Sequence, residues 1–405
     1  MTFTILHGNN LEVLPTLADN SVDSIVTDPP YELGFMGKKW DSSGIAYSVE
    51  LWAECLRVLK PGGHLLSFGG TRTFHRVAVA IEDAGFEIRD NIAWLYGSGF
   101  PKSLDVSKAI DKAAGAERVM KVNKRWAEKY PNGPGGNLSG NGRSEHFGQA
   151  KRITGNPILT SDPVSPEAQQ WNGWGTALKP AHEPIIVARK PLKGTVAHNV
   201  LTHGTGALNI DGSRIGTELR PKMERTKTVV SASSMSGTST GATNSGENTS
   251  QGRWPANIIL DEHTAGLLDE QSDASRFFYV AKASKRDRNE GLEGLPKSQP
   301  VGGADKWTET DRRRGEGVTR EPSSNFHPTV KPTALMGYLV KLVTPPNGTV
   351  LDPFTGSGST GKAAILNGFD FIGIEMTEDY LPIIEARLKH AETEFAEVQT
   401  DKGLF

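Results

Sequence analysis

Cysteine is almost absent from this chain of 405 residues: Cys55 is the single one. One thiol can form neither an internal disulfide nor a thiolate zinc site, and its place in the helix-like run "LWAECLRVLK" marks it as a core residue. No apolar run approaches the ~18 residues that a membrane span needs. The start, "MTFTILHGNN", has no basic stretch leading into a long apolar one. A cytoplasmic, soluble protein is therefore expected. Net charge is small, at −2, but unevenly spread. Residues 1–100 carry 7 Lys/Arg against 12 Asp/Glu, residues 331–405 carry 6 against 10, and residues 101–195 carry 15 against 8. A basic middle between acidic ends suits either a solvated lysine-rich face or a polyanionic partner.

Glycine and proline, by contrast, are plentiful, at 45 and 24 residues, and hydrophobic residues make up only 36%. Long polar loops around a compact core follow from that balance. The first hundred residues alternate strand and helix patterns. "FTILHG", "VDSIVTD", "HLLSFGG" and "FEIRDNIAWLYG" read as strands, while "NLEVLPTL", "SVELWAECLRVLKPGG" and "TFHRVAVAIEDAG" read as helices stopped by glycine or proline. The rhythm breaks after residue 100. It returns in "EPIIVARK", a strand, and in "GTVLDPFTGSGSTGKAAILNGFDFIGIEM", which reads strand, glycine turn, helix, strand. The segment "EDYLPIIEARLKHAETEF" is a final amphipathic helix. An α/β fold with a mostly parallel sheet covered on both faces is expected, its two parts separated by long insertions.

The expected division is 1–100 for one half of the core, 101–176 for a first insertion, and 177–193 for a core strand. A second insertion covers 194–326, the other half of the core 327–395, and a tail 396–405. Within the second insertion, the Ser/Thr/Gly-rich stretch at 228–250 reads as a flexible loop.

The turn "LDPFTGSGSTGKA" allows two readings. Gly356 to Lys362 fits the GxxxxGK of a phosphate-binding loop, but Ala363 stands where that loop needs Ser or Thr to hold magnesium. Lys362 is then a solvated helix residue. The other reading takes in the next strand, which ends at Glu375, 23 residues after Asp352. An acid there can accept from both ribose hydroxyls of a nucleoside cofactor.

"DSIVTDPPYE" ends a strand in an acid, two prolines and a tyrosine. Those residues suit an exocyclic nucleobase amine, whose lone pair is conjugated into its ring. Two acceptors on its hydrogens would draw the nitrogen toward tetrahedral geometry, and a carboxylate with a bare proline carbonyl makes such a pair. A following tyrosine can stack on the base, an interaction worth roughly 1–3 kcal/mol.

"DPPY" together with "DPFTGSGST" resembles the amino-directed DNA methyltransferases, and the order of the two motifs resembles the family's β permutation. "NFHPTVKP" (325–332) matches the short cofactor-flanking motif, and "LWAECLRVLKPGG" the helix beyond the catalytic loop. The resemblance implies a Rossmann-like methyltransferase fold and S-adenosyl-L-methionine as cofactor. It assigns Asp28, Pro29, Pro30 and Tyr31 to the target base. To the cofactor pocket it assigns Asp352, Pro353, Phe354, Gly356 and Gly358, with Glu375 on the ribose and Lys331 near the methionine end. Asn9 departs from the family's usual Asp in "GD", where the side chain can contact the adenine.

The insertions would then recognise double-stranded DNA. Lys124, Arg125, Arg143, Lys151 and Arg152 are candidate phosphate contacts, as are Lys285 and Arg286 in "RFFYVAKASKRDRN"; Lys121, Lys129 and Arg312 to Arg314 extend the set. A solvated surface is the alternative reading for "RFFYVAKASKRDRN" and for Arg312 to Arg314. "WNGWG" (171–175) is either a packing anchor or a wedge beside a flipped base. Asp leading the tetrapeptide leans, in this family, toward adenine N6 over cytosine N4. A P-loop ATPase and a non-catalytic DNA-binding protein are the alternatives from other classes. A homodimer follows by analogy alone, no metal is implied, and any companion restriction enzyme is unknown.

Overall fold

The computed structural model describes residues 1–33, 42–97, 99, 103–122, 159–225, 242–281, 286–297 and 324–401. Its strands, in chain order, are β1 Phe3–His7, β2 Val22–Thr27, β3 Leu59–Phe68, β4 Glu87–Leu95, β5 Met120–Val122, β6 Leu159–Ser161 and β7 His182–Arg189. They continue with β8 Ile215–Arg225, β9 Ala242–Arg253, β10 Ile258–Asp261, β11 Tyr279–Ala281, β12 Thr349–Asp352 and β13 Asp370–Glu375. The chain divides into two compact units, one of residues 1–98, 181–298 and 323–405, the other of residues 99–180 and 299–322.

The larger unit is built on a nine-stranded sheet in the order β1-β13-β12-β2-β3-β7-β4-β10-β11. All neighbouring pairs are parallel except those of β7, which runs antiparallel to β3 and β4. Successive residues of a strand face opposite sides of the sheet, and both sides are covered here. On β2 and β3, Val26 and Leu66 join the core beneath the helices Thr333–Val343, Ser359–Leu366 and Leu381–Asp401. Their neighbours Ile25 and Leu65 join a second core beneath Val49–Val58 and Phe74–Asp83. All six residues of β2 are buried, its polar members Asp23, Ser24 and Thr27 being bonded to Lys60 and Thr349, to Thr344 and to Asp352. Cys55 lies fully buried in the second core, as its sequence setting implied.

The decisive feature is where the strand order turns. From β12 the chain moves to β13 and so toward β1, whereas from β2 it moves the other way to β3. β12 and β2 are adjacent, with Leu351 opposite Ile25. In open α/β sheets a ligand crevice forms outside the carboxyl ends of the strands at such a switch point.

Four details differ from the sequence expectations. The helix before Pro61 stops at Val58, and β3 begins at Leu59 and runs straight through Pro61-Gly62-Gly63. Gly62 takes φ +78°, and the Pro61 carbonyl is held by Asn199 Nδ2 at 2.8 Å and Thr205 Oγ1 at 2.6 Å. Within the span expected as the second insertion, β10 and β11 extend the main sheet beyond β4. Of the expected loop 228–250, residues 242–250 belong to β9, which pairs with β8, and residues 228–241 lie outside the described residues. The last helix runs to Asp401, through most of the expected tail. Among the described residues no helix is long and apolar enough to cross a membrane.

In the smaller unit, β5 and β6 pair antiparallel, and the helix Val106–Ala113 is capped by Asp105. Buried Asp111 ties that unit together, accepting from Arg118, from the Val164 and Ser165 N–H groups and from the Ser165 hydroxyl. Trp171 and Trp174 pack edge to face at 5.0 Å, and both rings remain exposed. Lys121 is paired with Asp162 at 2.6 Å.

Candidate active site

The carboxyl edge of the parallel strands gathers the residues that the sequence singled out. β2 delivers Asp28, with Pro29 buried and Pro30 and Tyr31 half-buried behind it. β12 ends in Asp352, with Pro353 and Phe354 following, and β13 ends in Glu375. One hydrogen bond joins the first two strand ends: Thr27 Oγ1 donates to Asp352 Oδ1 at 2.6 Å. Asp352 also accepts from the Phe354 N–H at 3.0 Å. Burial pushes its carboxyl up to about 6, against the hydrogen bonds of Thr27, Thr360 and Phe354 and with the charge of Asp28 adding to the rise.

The glycine turn is shaped by backbone that only glycine adopts at ease, with φ +55° at Gly356 and +76° at Gly358. The Gly356 N–H donates to Glu375 Oε2 at 2.8 Å, and the Thr377 N–H donates to Oε1 at 2.7 Å. Each carboxylate oxygen keeps a lone pair for a further donor. Burial raises the Glu375 carboxyl against these bonds. The His327 imidazole lies over the turn, so that a Cβ on Gly356 would stand 3.0 Å from its Nε2. Burial lowers His327 to about 4, so the ring is neutral at physiological pH. Below the turn, fully buried Arg387 donates to the Ser357 carbonyl at 2.6 Å.

Lys331 connects the two halves. Its ammonium donates to Asp28 Oδ2 at 2.7 Å and to the Tyr31 hydroxyl at 3.2 Å, and pairs with Glu183 Oε2 at 3.2 Å. It also lies over the Tyr31 and Phe68 rings, 5.4 and 4.8 Å from their centroids. Burial alone would lower its pKa, but the charges of Asp28 and Glu183 outweigh that and raise it, so the ammonium stays charged. The resemblance implied a place near the cofactor's methionine end for Lys331; in the structure its ammonium faces the DPPY segment, where two carboxylates attract it. Tyr31 donates its hydroxyl to Glu183 at 2.8 Å and accepts at its carbonyl from Thr73 Oγ1 at 2.9 Å. Burial, then Asp28 and Glu183, hold that hydroxyl well above its ordinary pKa and so protonated. Asp28 Oδ1 is buried with no hydrogen-bond partner among the described residues.

Other expected residues have different surroundings. Asn9 spends its side-chain oxygen on the Leu11 N–H at 3.1 Å, capping the helix Asn10–Val13, though it follows β1, which pairs with β13 up to Glu375. Lys124, Arg125, Arg143, Lys151, Arg152 and Lys285 lie outside the described residues, as do Lys129 and Arg312 to Arg314. Arg286 is exposed and paired with Glu290 at 3.0 Å. Lys362 is not solvated: it is buried and paired with Asp287 at 3.0 Å and Glu290 at 2.8 Å. Sequence reasoning missed Glu183 altogether. Its one signal was an acid heading an otherwise apolar strand, and its importance depends on β7 running antiparallel, which brings its first residues to the same edge as Asp28.

A parallel sheet that carries a glycine turn and a strand-end acid at its switch point defines a Rossmann-like core of the kind that holds a nucleoside cofactor. The chain belongs to the N6/N4 DNA methylase family, whose model, described as DNA methylase, matches residues 22–386. The Type II methyltransferase M.HpaI of Haemophilus parainfluenzae is 34% identical over 113 residues, which are 26% of this chain and 36% of that protein. M.HinfI of Haemophilus influenzae, also a Type II methyltransferase, is 38% identical over 74 residues, 18% of this chain and 21% of its own length. The matched stretches thus span little more than a third of these relatives at most. Among solved structures, the M1.HpyAVI–SAM complex aligns over 96% of this chain and 99% of its own at 17% identity, with a TM-score of 0.41. The PvuII DNA methyltransferase (cytosine-N4-specific) aligns over 99% and 92% at 13% identity, with a TM-score of 0.43.

Proposed function

We propose that this chain is an S-adenosylmethionine-dependent DNA methyltransferase acting on an exocyclic amine of a base flipped from the duplex, adenine N6 in preference to cytosine N4. One observation carries the reading: Asp28 Oδ1, buried and without a partner among the described residues, at the sheet's switch point beside the glycine turn. A buried acceptor left unmade costs stability, and an amine N–H donor would satisfy it. Family membership supports the reaction class, and the Asp that heads the tetrapeptide supports adenine.

The residues fit the cofactor. The turn presents backbone with no Cβ at Gly356 and Gly358, and Glu375 retains acceptor capacity for ribose hydroxyls. S-adenosylmethionine, when bound, supplies the methyl group from a sulfonium centre, the carbon–sulfur bond breaking with its electron pair left on sulfur as the amine's lone pair forms the new N–C bond. Asp28 Oδ1 and a proline carbonyl hold the amine's two hydrogens and free that lone pair from the ring. The Tyr31 ring, fixed through its hydroxyl, stacks on the base and helps offset the few kcal/mol of extrusion. The nitrogen's surplus proton leaves to Asp28 or through it to water. Alignment of this kind is worth on the order of 7–11 kcal/mol.

The test is transfer of labelled methyl groups to unmethylated DNA of mixed sequence, followed by digestion to nucleosides. N6-methyl-2′-deoxyadenosine is the expected product. N4-methylcytosine would overturn the choice of base, and the absence of any transfer would overturn the activity.

A further inference from the structure

We propose that Glu183 is a positioning residue for methyl transfer, holding Lys331 and Tyr31 so that Asp28 keeps Oδ1 open to the target amine. The inference rests on the function proposed above and concerns a residue outside the DPPY segment and the glycine turn. Glu183 is the second residue of β7, where it pairs in register with Trp94 of β4, and the next residue anchors it through the Gly69 N–H on the Pro184 carbonyl at 3.0 Å. Its Oε2 lies 2.8 Å from the Tyr31 hydroxyl and 3.2 Å from Lys331 Nζ. Lys331 is therefore shared between two carboxylates, approaching Asp28 from the Oδ2 side.

Two consequences follow from that sharing. An ammonium with Asp28 as its only carboxylate would be free to bridge both of its oxygens and occupy the acceptor that the amine needs; the second carboxylate tethers it on one side. Two carboxylates around one ammonium, with Tyr31 neutral, also leave the group a net charge of −1. Positive charge passes to the amine nitrogen during transfer, so residual negative charge beside Asp28 favours the transition state over the ground state. Glu183 further fixes the Tyr31 ring, since a buried phenol must place its proton on an acceptor.

The experiment compares wild type with Glu183→Gln, which is isosteric and can still accept from Tyr31, and with Tyr31→Phe, which removes the hydroxyl. Single-turnover transfer from the labelled donor to unmethylated DNA is measured beside cofactor affinity by calorimetry and the melting temperature. Misplacement of a catalytic group by about 1 Å costs on the order of 10²-fold in rate. A loss of that order is expected for Glu183→Gln, with cofactor affinity and melting temperature near wild type and a smaller loss for Tyr31→Phe. Wild-type transfer with Glu183→Gln equally fast overturns the inference alone. So does a rate loss matched by equal losses in cofactor affinity and melting temperature, which marks a merely structural role. A wild type that transfers nothing overturns the functional reading and the inference with it.

Discussion

Thr27 and Asp352 meet in a 2.6 Å hydrogen bond although 325 positions separate them in the chain. The bond is possible because β2 and β12 are neighbours at the point where strand order reverses. It ties the proposed catalytic lip to the proposed cofactor turn whatever the intervening chain does. Long insertions between two such segments cost little, since loop-closure entropy grows only slowly with length.

Burial of Asp352 at that junction, working against the bond, sets a pH dependence. Asp352 is 2% exposed and its carboxyl is raised to about 6 from 3.8. A carboxyl raised in the folded state contributes stability that is complete below the unfolded value and is lost as pH rises through the folded one. A rise of about two pH units corresponds to on the order of 3 kcal/mol. Urea unfolding of wild type and Asp352→Asn at pH 4 and pH 7 should show the wild type losing ground to the variant by that order. His64 and His327, both lowered to about 4 chiefly by burial, act in the opposite sense but equally in both proteins, so the difference isolates Asp352. A stability difference independent of pH would remove Asp352 from the account.

Asp28→Asn keeps the shape of the lip and removes its charge. Lys331, 9% exposed in its side chain, would then have Glu183 as its carboxylate partner. Loss of one preorganised electrostatic partner typically costs about 10²–10³ in rate, and a loss of at least that order is expected in single-turnover transfer. Cofactor binding, measured by calorimetry, should survive. Parallel loss of both would make Asp28 a structural residue.

What the sequence made legible was whatever its chemistry kept contiguous. Asp28 to Tyr31 and Asp352 to Gly358 are each an unbroken run at the end of a buried strand, so local pattern alone located them. Glu183 was not legible because its place depends on the direction of β7, a property of the assembled sheet. Lys362 looked solvated because a helix lysine generally is; its partners Asp287 and Glu290 come from a segment more than seventy positions earlier. β10 and β11 are strands of four and three residues, too short for alternation to declare them, and they are strands by virtue of pairing beside β4.

Gly356→Ala should weaken the proposed cofactor site without unfolding the protein. The backbone stands at φ +55°, where a side chain costs about 1–2 kcal/mol, and the new Cβ would press on His327 Nε2 at 3.0 Å. A fall in cofactor affinity of roughly tenfold is expected by calorimetry. Gly361→Ala is the contrast: its Cβ would meet the Phe371 ring at 2.6 Å and Leu388 at 2.7 Å inside the core. That variant should lose stability in urea first. Equal cofactor affinity in Gly356→Ala and wild type would sink the assignment of this turn.

Lys362 separates the two readings of the glycine turn most sharply. In a phosphate-binding loop its ammonium would serve a bound nucleoside triphosphate; here it is buried against Asp287 and Glu290. Asp287 in turn accepts from the N–H and hydroxyl of Thr333, the residue that opens the helix following Lys331. Burial would raise the Asp287 carboxyl, but Thr333 and Lys362 hold it below its ordinary value. Removing one partner of a buried pair typically costs about 3–5 kcal/mol because the other charge is left uncompensated. Lys362→Ala should therefore destabilise the fold by that order in urea unfolding, while magnesium–ATP binds neither protein in equilibrium dialysis. Tight magnesium–ATP binding that vanishes in the variant would restore the phosphate-loop reading, and a variant as stable as wild type would deny Lys362 its structural part.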